Sequence, residues 1–218
     1  MACTPFFPAW LRRLAPMGRQ ASQFLNSVRQ CTLSQVESRF GSLFANPVLR
    51  PPSGPQRQRP YSTRRTFWCF LWQMLNQNTS CREVVEQLQS VLALHGVCKL
   101  DPGNSAYCQA RARLPLPLLE QGLGDTAAAA ERLAPGRRLL QNRPLKAADG
   151  STVSLADTPQ NQAQYPQPKS QKRGCGFPIL RLSVLFSLKS GAVLNVAQGT
   201  FYQHELRLFH TLHNQLVA

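Results

Sequence analysis

The chain has 218 residues and a formal net charge of +15, enough length for one domain or two small ones and a charge that favours polyanionic partners. Seven cysteines, an odd number with no C-x-x-C pair, argue against a disulfide framework and point to a reducing compartment. No run approaches the ~18 apolar residues of a membrane span, so a soluble protein is expected. Up to Ser80 the only acid is Glu37, set against ten arginines and no lysine. Arginine forks match phosphates and base edges, so nucleic acid is the expected partner.

The start, MACTPFFPAWLRRLAPMGR, is basic, but its prolines interrupt any apolar segment, and it does not read as a signal peptide. From Ser22 to Phe44 the spacing of Phe24, Leu25, Val28, Val36, Phe40, Leu43 and Phe44 predicts helix with one buried stripe. NPVLRPPSGPQRQRPYS, where proline, glycine and arginine cluster, reads as a linker or basic arm. Thr63 to Asn76 is apolar around much of a helix, with Trp68, Leu71, Trp72 and Leu75 expected inward. Ser80-Cys-Arg-Glu83 fits a capping box. Behind it Val84, Val85, Leu88, Val91 and Leu92 supply a buried face, and Gly96 is placed to end the helix. Asn104 to Leu114 is a short predicted helix, and Pro115 and Pro117 separate it from another over Leu118–Leu133. Short helices joined by tight breaks are compatible with a helix-turn-helix reader, and equally with any small bundle.

From about Lys146 the period changes. Thr152, Val153 and Leu155 form a β-prone run after Asp149, which by itself reads as a solvated turn residue or a carboxylate ligand. Ile179 to Leu188 predicts a strand with Leu180, Leu182, Val184 and Phe186 on one face. Lys189-Ser190-Gly191 reads as a hairpin turn into a strand over Ala192–Ala197. His204 to Val217 carries Leu206, Phe209, Leu212 and Leu216 at helical spacing. No internal repeat is visible. The expected organisation is a helix and basic linker over 1–59, a helical domain over 60–140 and a β-rich domain over 141–218. The fold class is α+β: an all-α N-terminal part followed by a β-β-β-α unit.

DGSTVSLADTPQNQAQYPQP followed by QKRGCGFPILRLSVLFSLKSGAVL resembles the start of the catalytic domain of the IS-four family of bacterial DDE transposases. TSCREVVEQL and NSAYCQARARLP resemble that family's N-terminal domain, and the likeness covers roughly Pro60 to Ala218. It implies a ribonuclease-H-like opening, duplex DNA at insertion-element terminal inverted repeats as partner, a transposase homo-oligomer, and a cytoplasmic, nucleoid-associated location in a bacterium. It also implies magnesium: two ions between three carboxylates, one activating the nucleophile and one stabilising the leaving oxygen. Asp149 matches the first catalytic carboxylate and metal ligand.

The acids after it are Asp157 and Glu205. Asp157 lies about 26 Å further along an extended chain and reads as a turn residue before proline. Glu205 suits the first turn of a helix. The second and third catalytic carboxylates would follow Ala218, so the expectation is a truncated active site, with the Asp149 strand left as an open sheet edge. Arg64, Arg65, Arg111, Arg113, Lys169, Lys172 and Arg173 are the predicted DNA contacts. A strand-transferring transposase competes with a non-enzymatic protein that occupies element ends, and with a decayed fragment. His95 and Cys98, with Cys81 and Cys108, have weak zinc spacing, His210 and His213 lack supporting ligands, and no phosphate-cradling glycine loop is present.

Overall fold

The computed structural model describes residues 22–50, 59–76, 78–96, 100–134, 143–172 and 174–212. It mixes helix and strand: eight α-helices among the described residues, and one three-stranded antiparallel sheet. The chain divides into two compact units, Met1–Leu118 and Leu119–Ala218.

In the first unit the stretch read as one helix from Ser22 is two: α1 over 22–29 and α2 over Leu33–Phe40. The cause is local. Thr32 accepts the Gln35 N–H on its side chain while the Gln35 side chain accepts the Thr32 N–H, a capping box that starts a new helix. Helix α3, Thr63–Leu75, is capped by the Ser62 hydroxyl. Its inward side differs in part from the periodicity: Phe67, Trp68, Cys69, Trp72 and Gln73 are buried, whereas Leu71 and Leu75 are half-buried. Phe44 meets Phe67 and Trp68 edge-on at 5.1 and 5.5 Å, the favourable arrangement for ring quadrupoles. The Trp72 indole donates to the Cys31 carbonyl at 2.8 Å, tying α3 to the α1–α2 junction.

Helix α4, Cys81–Leu94, begins at the Ser80–Glu83 capping box, and Gly96 follows it in the left-handed region at φ +76°. Val84, Val85, Leu88 and Leu92 are buried. Helix α5, Ser105–Ala112, adds Tyr107, which has no exposed surface, and Ala110. Its hydroxyl meets Gln73 (Tyr107 Oη to Gln73 Oε1, 2.9 Å), a buried polar link between α3 and α5.

Helix α6, Leu116–Leu133, begins in the first unit and continues into the second, where strand β1 spans Lys146–Ser154. Strands β2, Ile179–Ser187, and β3, Val193–Thr200, complete the sheet in the order β1-β2-β3. Gly191, at φ +73°, makes the β2–β3 turn and donates to Ser187 O at 2.8 Å. The long β1–β2 connection holds an unanticipated helix α7, Pro159–Gln164, capped by Thr158 with proline at its first turn. Helix α8, Glu205–Thr211, packs Leu208 and Leu212 on Leu185 and Ala197.

The stripe Leu180, Leu182, Val184 and Phe186 is therefore not the buried face of β2. Those residues are half-buried, and Ser183, Leu185 and Ser187 are the ones enclosed, because α8 lies on their side. Leu206 is exposed rather than inward, while Leu216 lies outside the described residues.

Candidate nucleic-acid interface

The arginines of the first unit divide by what they touch. Arg64, on the first turn of α3, pairs with the Glu37 carboxylate and donates to Leu49 O at 3.2 Å. Arg111 donates to the Gln73 side-chain oxygen at 3.1 Å. Both hold elements together within the unit. Arg65 folds back and donates to the carbonyls of Arg59 and Pro60 at 3.1 and 2.8 Å, bracing the chain as it enters α3.

Arg113 differs. It is the C-cap of α5, and its backbone N–H closes the Ala110 carbonyl at 3.1 Å while its exposed side chain lines a cleft of about 520 Å³. Arg59, Tyr61, Ser62, Thr63 and Thr66 line the same cleft. Arg59 was not singled out from sequence, although RPYSTRR, an arginine just ahead of a serine-capped helix, carries the signal. Neither Arg59 nor Arg113 has an acidic partner among the described residues. Burial, and after it the nearby Cys69, pushes the Tyr61 hydroxyl above its ordinary value.

In the second unit Asp149 sits at the middle of β1, opposite Val184. It is exposed, and its Oδ1 accepts the next backbone N–H, that of Gly150, at 2.9 Å. Glu205 comes closer than its sequence position suggested. Its carboxylate lies against Gly150, where a methyl group would collide with it. Alternation along the strand aims Asp149 to the other face of the sheet. Among the described residues no group of three or more His, Cys, Asp or Glu gathers. One exposed carboxylate falls short of the ligand set that two hard cations need, so these residues do not fit a two-magnesium centre.

The loop after β1 is organised by glutamine and tyrosine side chains. Gln162 donates to Asp157 Oδ1 at 2.8 Å and accepts from Gln167 N at 3.1 Å, which gives Asp157 a structural role. The Tyr202 hydroxyl accepts from Lys169 N at 2.6 Å and donates to Gln167 O at 3.1 Å, and the Lys169 ammonium lies 5.5 Å from its ring centre. Lys169 and Lys172 are both exposed on this loop, and Lys169 lines a depression of about 600 Å³ together with Asp157, Gln162, Gln167 and Gln171. Arg173 lies outside the described residues.

Among the described residues no three members of the weak zinc pattern gather. His95 is exposed at the end of α4, and Cys98 and His213 lie outside the described residues. Cys81 and Cys108 do meet: burial, then a hydrogen bond with the Cys81 thiol, pushes the Cys108 thiol up. Comparison with protein-family models, curated proteins and solved structures found no match to this chain.

Proposed function

We propose that the chain is a transposase-type DNA-binding protein. Its helical unit engages duplex DNA at insertion-element ends, and its sheet unit is the opening of a ribonuclease-H-like catalytic domain. One observation carries the reading. The DGST motif lies in the first strand of an antiparallel β1-β2-β3 sheet that a helix follows, with Asp149 at mid-strand. That is the order and position which the resemblance requires of a first catalytic carboxylate. The net charge of +15 supports a polyanionic partner. A cytoplasmic, nucleoid-associated location and a homo-oligomer on paired ends belong to the same reading. Among the described residues no helix is long and apolar enough to cross a membrane.

The lone exposed Asp149, with Glu205 held against the other face of the sheet, favours the non-enzymatic form of this function: occupation of element ends without strand cleavage by this chain alone. The test combines duplex binding across a salt series with nicking of supercoiled plasmid in magnesium. Affinity that falls linearly in log–log form with salt, with no nicking, is the expected result. Magnesium-dependent nicking abolished by Asp149→Asn would instead establish the strand-transferring form. Absence of duplex binding even at low salt would overturn both.

A further inference from the structure

We infer that the outer edge of β1 is a self-association surface: two copies of this chain pair through it, antiparallel, about a two-fold axis at Ser151. The pairing needs no nucleic acid and stands apart from the function proposed above.

The ladder shows which backbone groups are on offer. Strand β1 has one neighbour in the sheet, β2. Bonds from Leu188 N to Leu145 O at 3.0 Å and from Leu155 N to Pro178 O at 2.9 Å bracket their pairing. Antiparallel hydrogen bonding alternates along a strand, and the register between those bonds is unbroken. The odd-numbered residues of β1 therefore spend their N–H and C=O groups on β2. Ala148, Gly150, Thr152 and Ser154 turn theirs outward. Of these four N–H groups only that of Gly150 finds a partner among the described residues, Asp149 Oδ1 at 2.9 Å. Nothing blunts this edge: it has no proline and no bulge, and its one lysine, Lys146, is its first residue.

The opposite edge is blunted. By the same alternation Val196, Gln198 and Thr200 of β3 point away from β2. The Asn195 side chain takes the Val196 N–H at 2.8 Å, and the Gln203 side chain takes that of Thr200 at 3.1 Å. A register shift at Leu185/Phe186 further breaks the regular pairing on that side. One open edge beside one blunted edge stops the assembly at two copies rather than a fibre.

Charge chooses the register. A two-fold axis at Asp149 sets that carboxylate opposite its own copy. An axis at Gly150 brings together the two Glu205 carboxylates, since each lies against this glycine. Like charges directly opposite are destabilising. An axis at Ser151 avoids both. Ala148 then pairs with Ser154 of the second copy and Gly150 with its Thr152, which forms about eight ladder hydrogen bonds from the outward residues alone. The Thr152 hydroxyl of one copy faces the Glu205 carboxylate of the other, a donor opposite an acceptor, and Asp149 faces Val153. The body of α8 packs on β2 and β3, so it does not stand between the two copies.

Sedimentation velocity of the full chain over about 1–100 µM, without nucleic acid, tests this. A reversible monomer–dimer equilibrium in that range is expected, as suits a small interface made mainly of main-chain bonds. Thr152→Pro deletes an outward N–H and leaves the β1–β2 ladder its own bonds. It should move the midpoint about tenfold or more toward monomer while circular dichroism stays unchanged. Ser151→Cys should cross-link to its own copy on mild oxidation, because side chains of a directly opposed pair lie near disulfide distance. Val153→Cys, displaced from its own copy by about 13 Å along the strand, should not. Peptide mapping separates a cross-link at position 151 from any at the native cysteines, and this readout holds even where Thr152→Pro disturbs the fold. A monomer at every concentration, a dimer as strong in a folded Thr152→Pro as in wild type, or cross-linking at 153 in place of 151 would overturn the pairing. Growth beyond dimers would overturn the stop at β3.

Discussion

Gln73 holds the first unit together through hydrogen bonds that a hydrophobic residue of similar size cannot replace. It is 6% exposed. Its Oε1 accepts from the Tyr107 hydroxyl at 2.9 Å and from Arg111 at 3.1 Å, and its Nε2 donates to Thr79 O at 3.0 Å. Gln73→Leu keeps most of the volume, strands these three partners and loses the weaker bond from Nε2 to the Cys81 sulfur at 3.7 Å. Arg111 and Thr79 are half-buried and can turn toward water, so their loss is discounted. Tyr107 is fully enclosed and cannot. At about 1–3 kcal/mol for a stranded buried group and less for the other two, the variant should lose roughly 2–4 kcal/mol. For a unit of this size that is a fall in Tm on the order of 10–20 °C. Urea unfolding followed by circular dichroism measures it. Adding Tyr107→Phe to Gln73→Leu removes the stranded hydroxyl and should restore about 1 kcal/mol. If the double variant is less stable than the single one, or the single one loses under about 0.5 kcal/mol, the buried link is not what joins α3 to α5.

Arg64→Ala and Arg111→Ala should lower stability, because each side chain serves a contact within the unit, while duplex affinity per folded molecule changes less than twofold or so; binding curves normalised to folded fraction check this. Glu131 is held below the ordinary glutamate range, first by hydrogen bonds from the Ser187 and Ser190 hydroxyls and further by Lys189. A carboxylate lowered in the folded state contributes stability at neutral pH that is lost as pH falls through its folded value. Glu131→Gln should therefore flatten the stability profile below the ordinary glutamate range, as read by acid titration of unfolding. Burial pushes the Cys69 thiol up to about 12, and Cys31 is also buried, whereas Cys175 is exposed. Among the cysteines of the described residues, thiol titration of the native protein should label Cys175 first and leave Cys31 and Cys69 for the unfolded state. Tyr202→Phe removes the hydroxyl that fastens Lys169 N and Gln167 O. Limited trypsin digestion should then cut faster at Lys169 and Lys172, with cleavage elsewhere unchanged.

Local chemistry was legible along the chain because capping and turn formation are decided within a few residues. Ser80 and Glu83 mark the start of α4, Gly96 its end, and Lys189-Ser190-Gly191 the hairpin, all from side-chain hydrogen bonding and glycine's tolerance of positive φ. The break at Thr32 and the helix after Thr158 obey the same rules and were readable too: Thr-x-x-Gln and Thr-Pro are the signals. Whether a polar side chain faces a partner or a ligand depends on residues far apart in sequence. Arg64 and Arg65 are neighbours on one helix, yet one reaches Glu37 and the other the chain entering the helix. Arg111 and Arg113 part company in the same way, one at Gln73 and one at the cleft. The inward face of β2 was undecidable from its own residues, since alternation gives two faces and only the position of α8 selects Ser183, Leu185 and Ser187 for burial. The sequence by itself determined the helix caps, the β2–β3 turn and the strand character of the stretch after Asp149. Tertiary packing alone decided which arginines stay free and where Glu205 lies, because those depend on contacts between elements that no local pattern encodes.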